Sequence, residues 1–200
     1  MDKVLLRKFI LHLNKFEGKE YLLSTIAYKA APTLGGIKPS SLMSFSTKNK
    51  NLYELWERYK YDVCESLNLH FFELKETNDW KLVLFYNDEM LEKTTISKGN
   101  RAFLRKMGYS EAVTQAQRLE ILKMRFSWMC PHEIGVFLGI PVEDICGFMQ
   151  HKGSNFLFCK YWKVYHNPEE AKNLFEGYDN AKAKAIYAII HTDLDNNLAV

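Results

Sequence analysis

The chain has little of what would settle its function outright. Its four cysteines, at 64, 130, 146 and 159, include no CxxC pair, which removes zinc-ribbon and thioredoxin-type motifs. No run of ~18 apolar residues occurs to span a bilayer as a helix. The apolar start, Met1 to Phe16, is broken by Lys3, Arg7, Lys8, His12 and Lys15 and does not form a signal peptide. A cytoplasmic location with reduced thiols follows as the expectation. The net charge of +3 is too small to imply nucleic acid by itself. With 10 glycines and 5 prolines in 200 residues, nothing suggests low complexity, and no repeat or linker is visible.

What is present is the composition of a globular protein: 47% hydrophobic, 14% aromatic and 26% charged residues. The length suits one domain, 1–200, with a tail, 195–200, expected to fray. Charge is unevenly spread. Residues 1–50 hold nine Lys/Arg against three acids, and residues 167–200 hold six acids against three lysines, so the front half is suited to an anionic partner.

Apolar periodicity predicts helices over 4–16, over 19–31 (ended by Pro32) and over 51–67, where Leu52, Leu55, Trp56, Tyr59, Val63 and Leu67 share a face. Residues 33–39 form a loop. The aromatic and branched runs 70–75 and 80–86, joined by Thr77-Asn78-Asp79, predict a β-hairpin. Helices follow at 88–93, at 98–107 and at 110–129, the last capped by Ser110 and striped by Leu119, Leu122, Phe126 and Met129. Pro131 and Pro141 suit the first turns of helices 131–138 and 141–150. Residues 156–166 are expected as a third strand, and Asn167-Pro168-Glu169-Glu170 starts a final helix to about His191. The sum is an α+β fold: a mainly helical single domain with a small antiparallel sheet of about three strands.

The segment Cys130-Pro131-His132-Glu133-Ile134-Gly135-Val136-Phe137-Leu138-Gly139-Ile140-Pro141 carries most of the chemistry. A thiol at a helix start is activated by the helix dipole, so Cys130 is a candidate nucleophile, with His132 and Glu133 beside it. Its base would have to come from elsewhere, such as His70, His151 or His166. Cys130, His132, Cys146, His151 and Cys159 match no familiar zinc spacing, and Glu133 is not part of an HExxH; no metal is assigned. Residues 131–150 also fit a helix-turn-helix, with Gly135 where two helices cross and Gly139 at the turn. Against DNA reading, Glu143 and Asp144 fall on the expected exposed first turn of the second helix, where they would face phosphates.

A second candidate is the loop Thr33 to Ser41. Gly35, Gly36, Lys38, Ser40 and Ser41 join flexible backbone, a cation and two hydroxyls, a set able to cradle a small anion. It is not a P-loop, because the glycine-to-lysine spacing is wrong and a helix precedes it. In Phe158 to Tyr165, cations alternate with aromatics. As a strand, this segment would put Phe158, Trp162 and Val164 on one core face.

Several blocks together resemble a known family: Ala31-Pro32-Thr33-Leu34, Gly36-Ile37-Lys38-Pro39, Pro131-His132-Glu133-Ile134-Gly135, Phe137-Leu138-Gly139, Pro141 with Asp144, and Trp162-Lys163-Val164-Tyr165. The chain is similar, from about Ala31 to about Phe175, to an uncharacterised domain-of-unknown-function family of anaerobic Gram-positive, clostridial-type bacteria. The PHEIG…LG and WKVY blocks are the specific part of the match. The resemblance implies a bacterial, intracellular, stand-alone domain. It transfers no catalytic role to any residue.

The leading expectation is therefore a cytoplasmic, non-catalytic binding or accessory module for a small anionic ligand, with the Thr33–Ser41 loop and the Cys130–Glu133 helix start facing one hollow. The alternatives are a Cys130-dependent enzyme and a helix-turn-helix DNA-binding protein using residues 131–150. The sequence indicates no cofactor.

Overall fold

A computed structural model describes residues 2–48 and 50–198, with side chains described through His191. The expected frayed tail, 195–200, lies outside the residues whose side chains are described.

A three-stranded antiparallel sheet of β1 (Ser40–Ser46), β2 (His70–Glu76) and β3 (Trp80–Tyr86) has the order β1-β3-β2. The predicted hairpin is β2–β3. Its turn is closed by Thr77, whose amide donates to the Trp80 carbonyl while its hydroxyl accepts from the Trp80 amide. As the central strand, β3 buries both faces, and period-two alternation divides its side chains between two helical layers. Val83 and Phe85 join Met43 and Phe45 of β1 beneath α2 (Gly18–Lys29) and α4 (Leu52–Ser66), which contribute Leu22, Ile26, Trp56 and Val63. Trp56 is fully buried and stacks on Phe45 with centroids 4.9 Å apart. Leu84 faces the other layer: α5 (Asp88–Ile96), α6 (Lys98–Lys106), α7 (Gln115–Phe126), α8 (Ile134–Phe137) and α9 (Val142–Gln150). Lys81 is also buried and meets Glu57, Glu73 and Glu76 at 2.5, 3.1 and 3.3 Å, so its charge is neutralised on the sheet.

Outside these layers, α10 (Pro168–Leu198) packs against α1 (Lys3–Leu13), where Ile186 meets Leu5 and Phe9, and against the short α3 (Ala31–Leu34).

Several expectations are corrected. The third sheet strand is β1, not 156–166. Residues 156–166 instead supply a separate two-stranded hairpin, β4 (Phe158–Cys159) with β5 (Lys163–Val164). Pro32 does not end a helix at its own position: α2 stops at Lys29, and Pro32 lies in the first turn of α3, where its missing N–H costs nothing. The helix expected over 110–129 is shorter at both ends. Thr114 and Gln117 form a capping box that starts α7, and α7 stops at Phe126, leaving Met129 70% exposed rather than in the core stripe.

Candidate functional site

The αα-hairpin α8–α9 is built as the glycine pattern predicts. A Cβ on Gly135 would lie 2.7 Å from the Ile145 side chain, so only glycine allows the two helices to cross this closely. Gly139 makes the turn at φ +74°, in the left-handed region that glycine enters without penalty.

One face of the second helix is then covered. Asp144, expected to be exposed, is 2% exposed. Its carboxylate accepts from Trp162 Nε1 at 2.6 Å and from the Tyr165 and His166 amides at 2.7 and 2.8 Å. A Cβ on Gly147 would fall 2.6 Å from the Tyr165 Cβ, so the chain after β5 lies directly on α9. The Asp144 face of the first turn of α9, the turn that a DNA-reading helix presents to base edges, is thus packed beneath residues 162–166, while Glu143 on that turn is exposed as expected.

Between α8, α9 and the β4–β5 hairpin lies an open cavity of about 340 Å³. Cys130, His132, Leu138, Phe148, Cys159 and Trp162 line it, with Lys163 at its side. The Lys163 Nζ donates to the Gly153 carbonyl at 2.6 Å and sits 5.0 Å over the Phe156 ring. A second hollow, lined by Trp128, Met129 and Met149, shares Cys130, Pro131 and His132 with the first, so the two adjoin. Around them Trp128 is 91% exposed, Leu157 60% and Phe156 41%.

Of the catalytic candidates, Cys130 and His132 line the cavity together and Glu133 is buried. Residues 131–136 form tight turns, Ile134 to Pro131 and Gly135 to His132, before a helix of only four residues. Cys130 is therefore not held at the start of a long dipole. Burial, and then the Glu133 carboxylate, push its thiol up rather than down. The His132 ring packs on Phe148, with centroids 5.5 Å apart. Glu133 is 2% exposed and accepts from Arg125 Nε at 3.1 Å and from the Tyr109 hydroxyl at 3.3 Å. It holds α7 to α8 as a paired buried charge. Among the described residues, no three His, Cys, Asp or Glu side chains converge as a metal site.

The Thr33–Ser41 loop spends its polar groups internally. The Gly35 and Gly36 amides donate to the Ala31 and Thr33 carbonyls, and those of Ile37 and Lys38 donate to Pro32. Ser40 donates to the Phe137 carbonyl at 2.6 Å, and the Ser41 hydroxyl lies 2.8 Å from that of Thr33; both serines are buried in β1. Lys38 lies over the Tyr178 ring at 5.6 Å. Burial, reinforced by Lys182, lowers it to about 8. The cavity beside Cys130 has no residue of 33–41 in its lining, and the groove beside Gly35, formed with α10, has none of 130–133. Ser40 and Pro39 touch the far end of α8, at Phe137 and Gly139.

Sequence reasoning missed the exposed aromatic and thioether rim, Trp128, Met129, Phe156 and Leu157. The available signal was Trp128-Met129 directly after a basic helix end, ahead of Pro131.

A family model described as a protein of unknown function, DUF3793, matches residues 26–197, and the chain belongs to that family. No curated protein and no solved structure matches the chain.

Proposed function

We propose that this member of the DUF3793 family is a non-catalytic binding module that captures an acidic, apolar-anchored segment of a partner protein. One observation carries the reading: the open cavity beside Cys130 adjoins a hollow lined by exposed Trp128 and Met129, and exposed Phe156 lies under Lys163 of its lining. Contiguous exposed apolar surface of this kind marks interaction sites, and tryptophan and methionine are typical of them.

Charge selects the partner. From Ile145 to Pro168 there is no Asp or Glu, while Lys152, Lys160 and Lys163 are present. The nearest acids, Asp144 and Glu133, are buried and already bonded. Lys163 in the cavity lining and the exposed Lys152 of the same segment make this apolar surface the complement of a segment mixing Leu or Phe with Glu or Asp.

The raised Cys130 thiol favours binding over nucleophilic catalysis. The four unpaired cysteines fit the cytoplasm of a bacterial cell. No described helix is long and apolar enough to cross a membrane.

The test is alkylation footprinting with short synthetic peptides that alternate Leu or Phe with Glu. Binding should slow the reaction of Cys130 and Cys159, which line the cavity, and leave Cys146, in another groove, unchanged. Trp128→Ala, at an exposed position, should weaken binding about tenfold or more without changing the melting temperature. Equal protection by peptides with Lys in place of Glu would overturn the reading. So would retention on vesicles of anionic lipid with no peptide protection.

A further inference from the structure

A second cavity, of about 230 Å³, lies where α5, α6 and the start of α7 meet. Three arginines line it, Arg101, Arg105 and Arg118, and no Asp or Glu does. Arg101 and Arg105 are four residues apart on α6, so they share a helix face. Neither has a carboxylate or hydrogen-bond acceptor for its side chain among the described residues.

Arg118 differs from these two. It is 4% exposed, its terminal nitrogens go to Glu92 and to the Val113 carbonyl, and its Nε–H has no partner among the described residues. A buried donor left without an acceptor costs roughly 1–3 kcal/mol. Such a group beside a cavity and two unpaired guanidiniums is a donor set suited to an anion.

We propose that this cavity binds the phosphoryl group of a small molecule. Guanidinium forks match tetrahedral oxyanions: those of Arg101 and Arg105, with the single free Nε–H of Arg118, can serve the three free oxygens of a phosphate monoester, whereas a monocarboxylate has only two oxygens. Three arginine charges less the Glu92 carboxylate leave +2, which balances a dianionic monoester. The site is separate from the cavity beside Cys130, so the result at either leaves the other standing.

Calorimetric titration and thermal shift of the whole protein at low ionic strength test the proposal. The probes are inorganic phosphate, O-phosphoserine, acetate and chloride at matched ionic strength, and a phosphoserine peptide. Phosphate and O-phosphoserine should bind saturably and raise the melting temperature, since a ligand of the native state stabilises it. Acetate and chloride should not.

Arg101→Gln and Arg105→Gln change exposed residues and should melt like the parent without ligand, yet each should weaken phosphate binding about tenfold or more. Arg101→Lys keeps the charge but not the fork and should also weaken it. Lys98→Gln, an exposed cation on the same helix outside the cavity lining, should leave affinity within about twofold. The proposal is overturned by a response to acetate equal to that to phosphate, by arginine variants that bind like the parent, by binding of the phosphopeptide alone, or by no saturable response up to on the order of 10 mM phosphate.

Discussion

Lys38 offers a prediction in which sign and size both come from the structure. It is half-buried over Tyr178, with Lys182 as its neighbouring charge, and it has no carboxylate of its own among the described residues. Its fall from the ordinary lysine value to about 8 corresponds to at most about 3 kcal/mol of cost for keeping the charge in the fold. Residual solvent contact and the contact with the Tyr178 ring offset part of this, leaving about 1–2 kcal/mol.

The folded value lies below the unfolded one. Below about pH 8 both states hold the proton, and the cost is present in full. Between about 8 and the unfolded value near 10.4, the folded state releases its proton first, and stability from this site rises with pH. Lys38→Met keeps the apolar stem and removes the charge. It should raise stability by about 1–2 kcal/mol at pH 7, an advantage that shrinks towards zero by pH 10. Urea midpoints of parent and variant across pH 6.5 to 10 measure this directly. A Lys38→Met variant that is less stable than the parent by the same amount at every pH would refute the reasoning.

Two further variants test the joint between α9 and the segment after β5. Asp144→Ala strips the acceptor from Trp162 Nε1 and two amides, and should cost about 3–5 kcal/mol in urea unfolding; a loss under about 1 kcal/mol would mean the carboxylate is not what holds the joint. Gly147→Ala gains helix propensity worth up to about 1 kcal/mol, but its Cβ meets Tyr165 Cγ at 2.5 Å. It should be destabilised by about 1–3 kcal/mol, and a gain in melting temperature would show that Tyr165 does not press on α9 there.

What was legible in the sequence was what local pattern decides. The stripe Leu52 to Leu67 gave α4, the turn at Thr77 gave the β2–β3 hairpin, and the glycines at 135 and 139 gave the crossing of α8 and α9. What was not legible depended on partners distant in sequence. β1, with four serines in seven residues, looks like a loop because its strand character comes from pairing with β3 and from Ser40 and Ser41 finding Phe137 and Thr33. The aromatic run 156–166 looks like one strand, but its rings pack around α10, with Trp162 against Phe175 at 4.4 Å and Tyr161 against Tyr178 at 5.1 Å, and the chain doubles back to achieve it. At the candidate sites, the closeness of Cys130 and His132 in sequence survived as a shared cavity. The loop at Gly35 did not join them, because its amides close its own turns.

Four of the blocks that carried the family resemblance, those from Pro131 to Tyr165, are the parts of one mechanical joint. Pro131 to Gly139 makes α8 and its turn, Asp144 sits in the first turn of α9, and Trp162 to Tyr165 supplies two of the three donors that Asp144 accepts. These residues therefore fix the wall of the cavity beside Cys130. Trp162 shows the coupling most clearly: its Nε–H is tied to Asp144, its ring rests on Phe175 of α10, and it lines the cavity. A pocket wall anchored at both ends is preorganised, so a segment entering it spends little of its interaction energy on ordering the site.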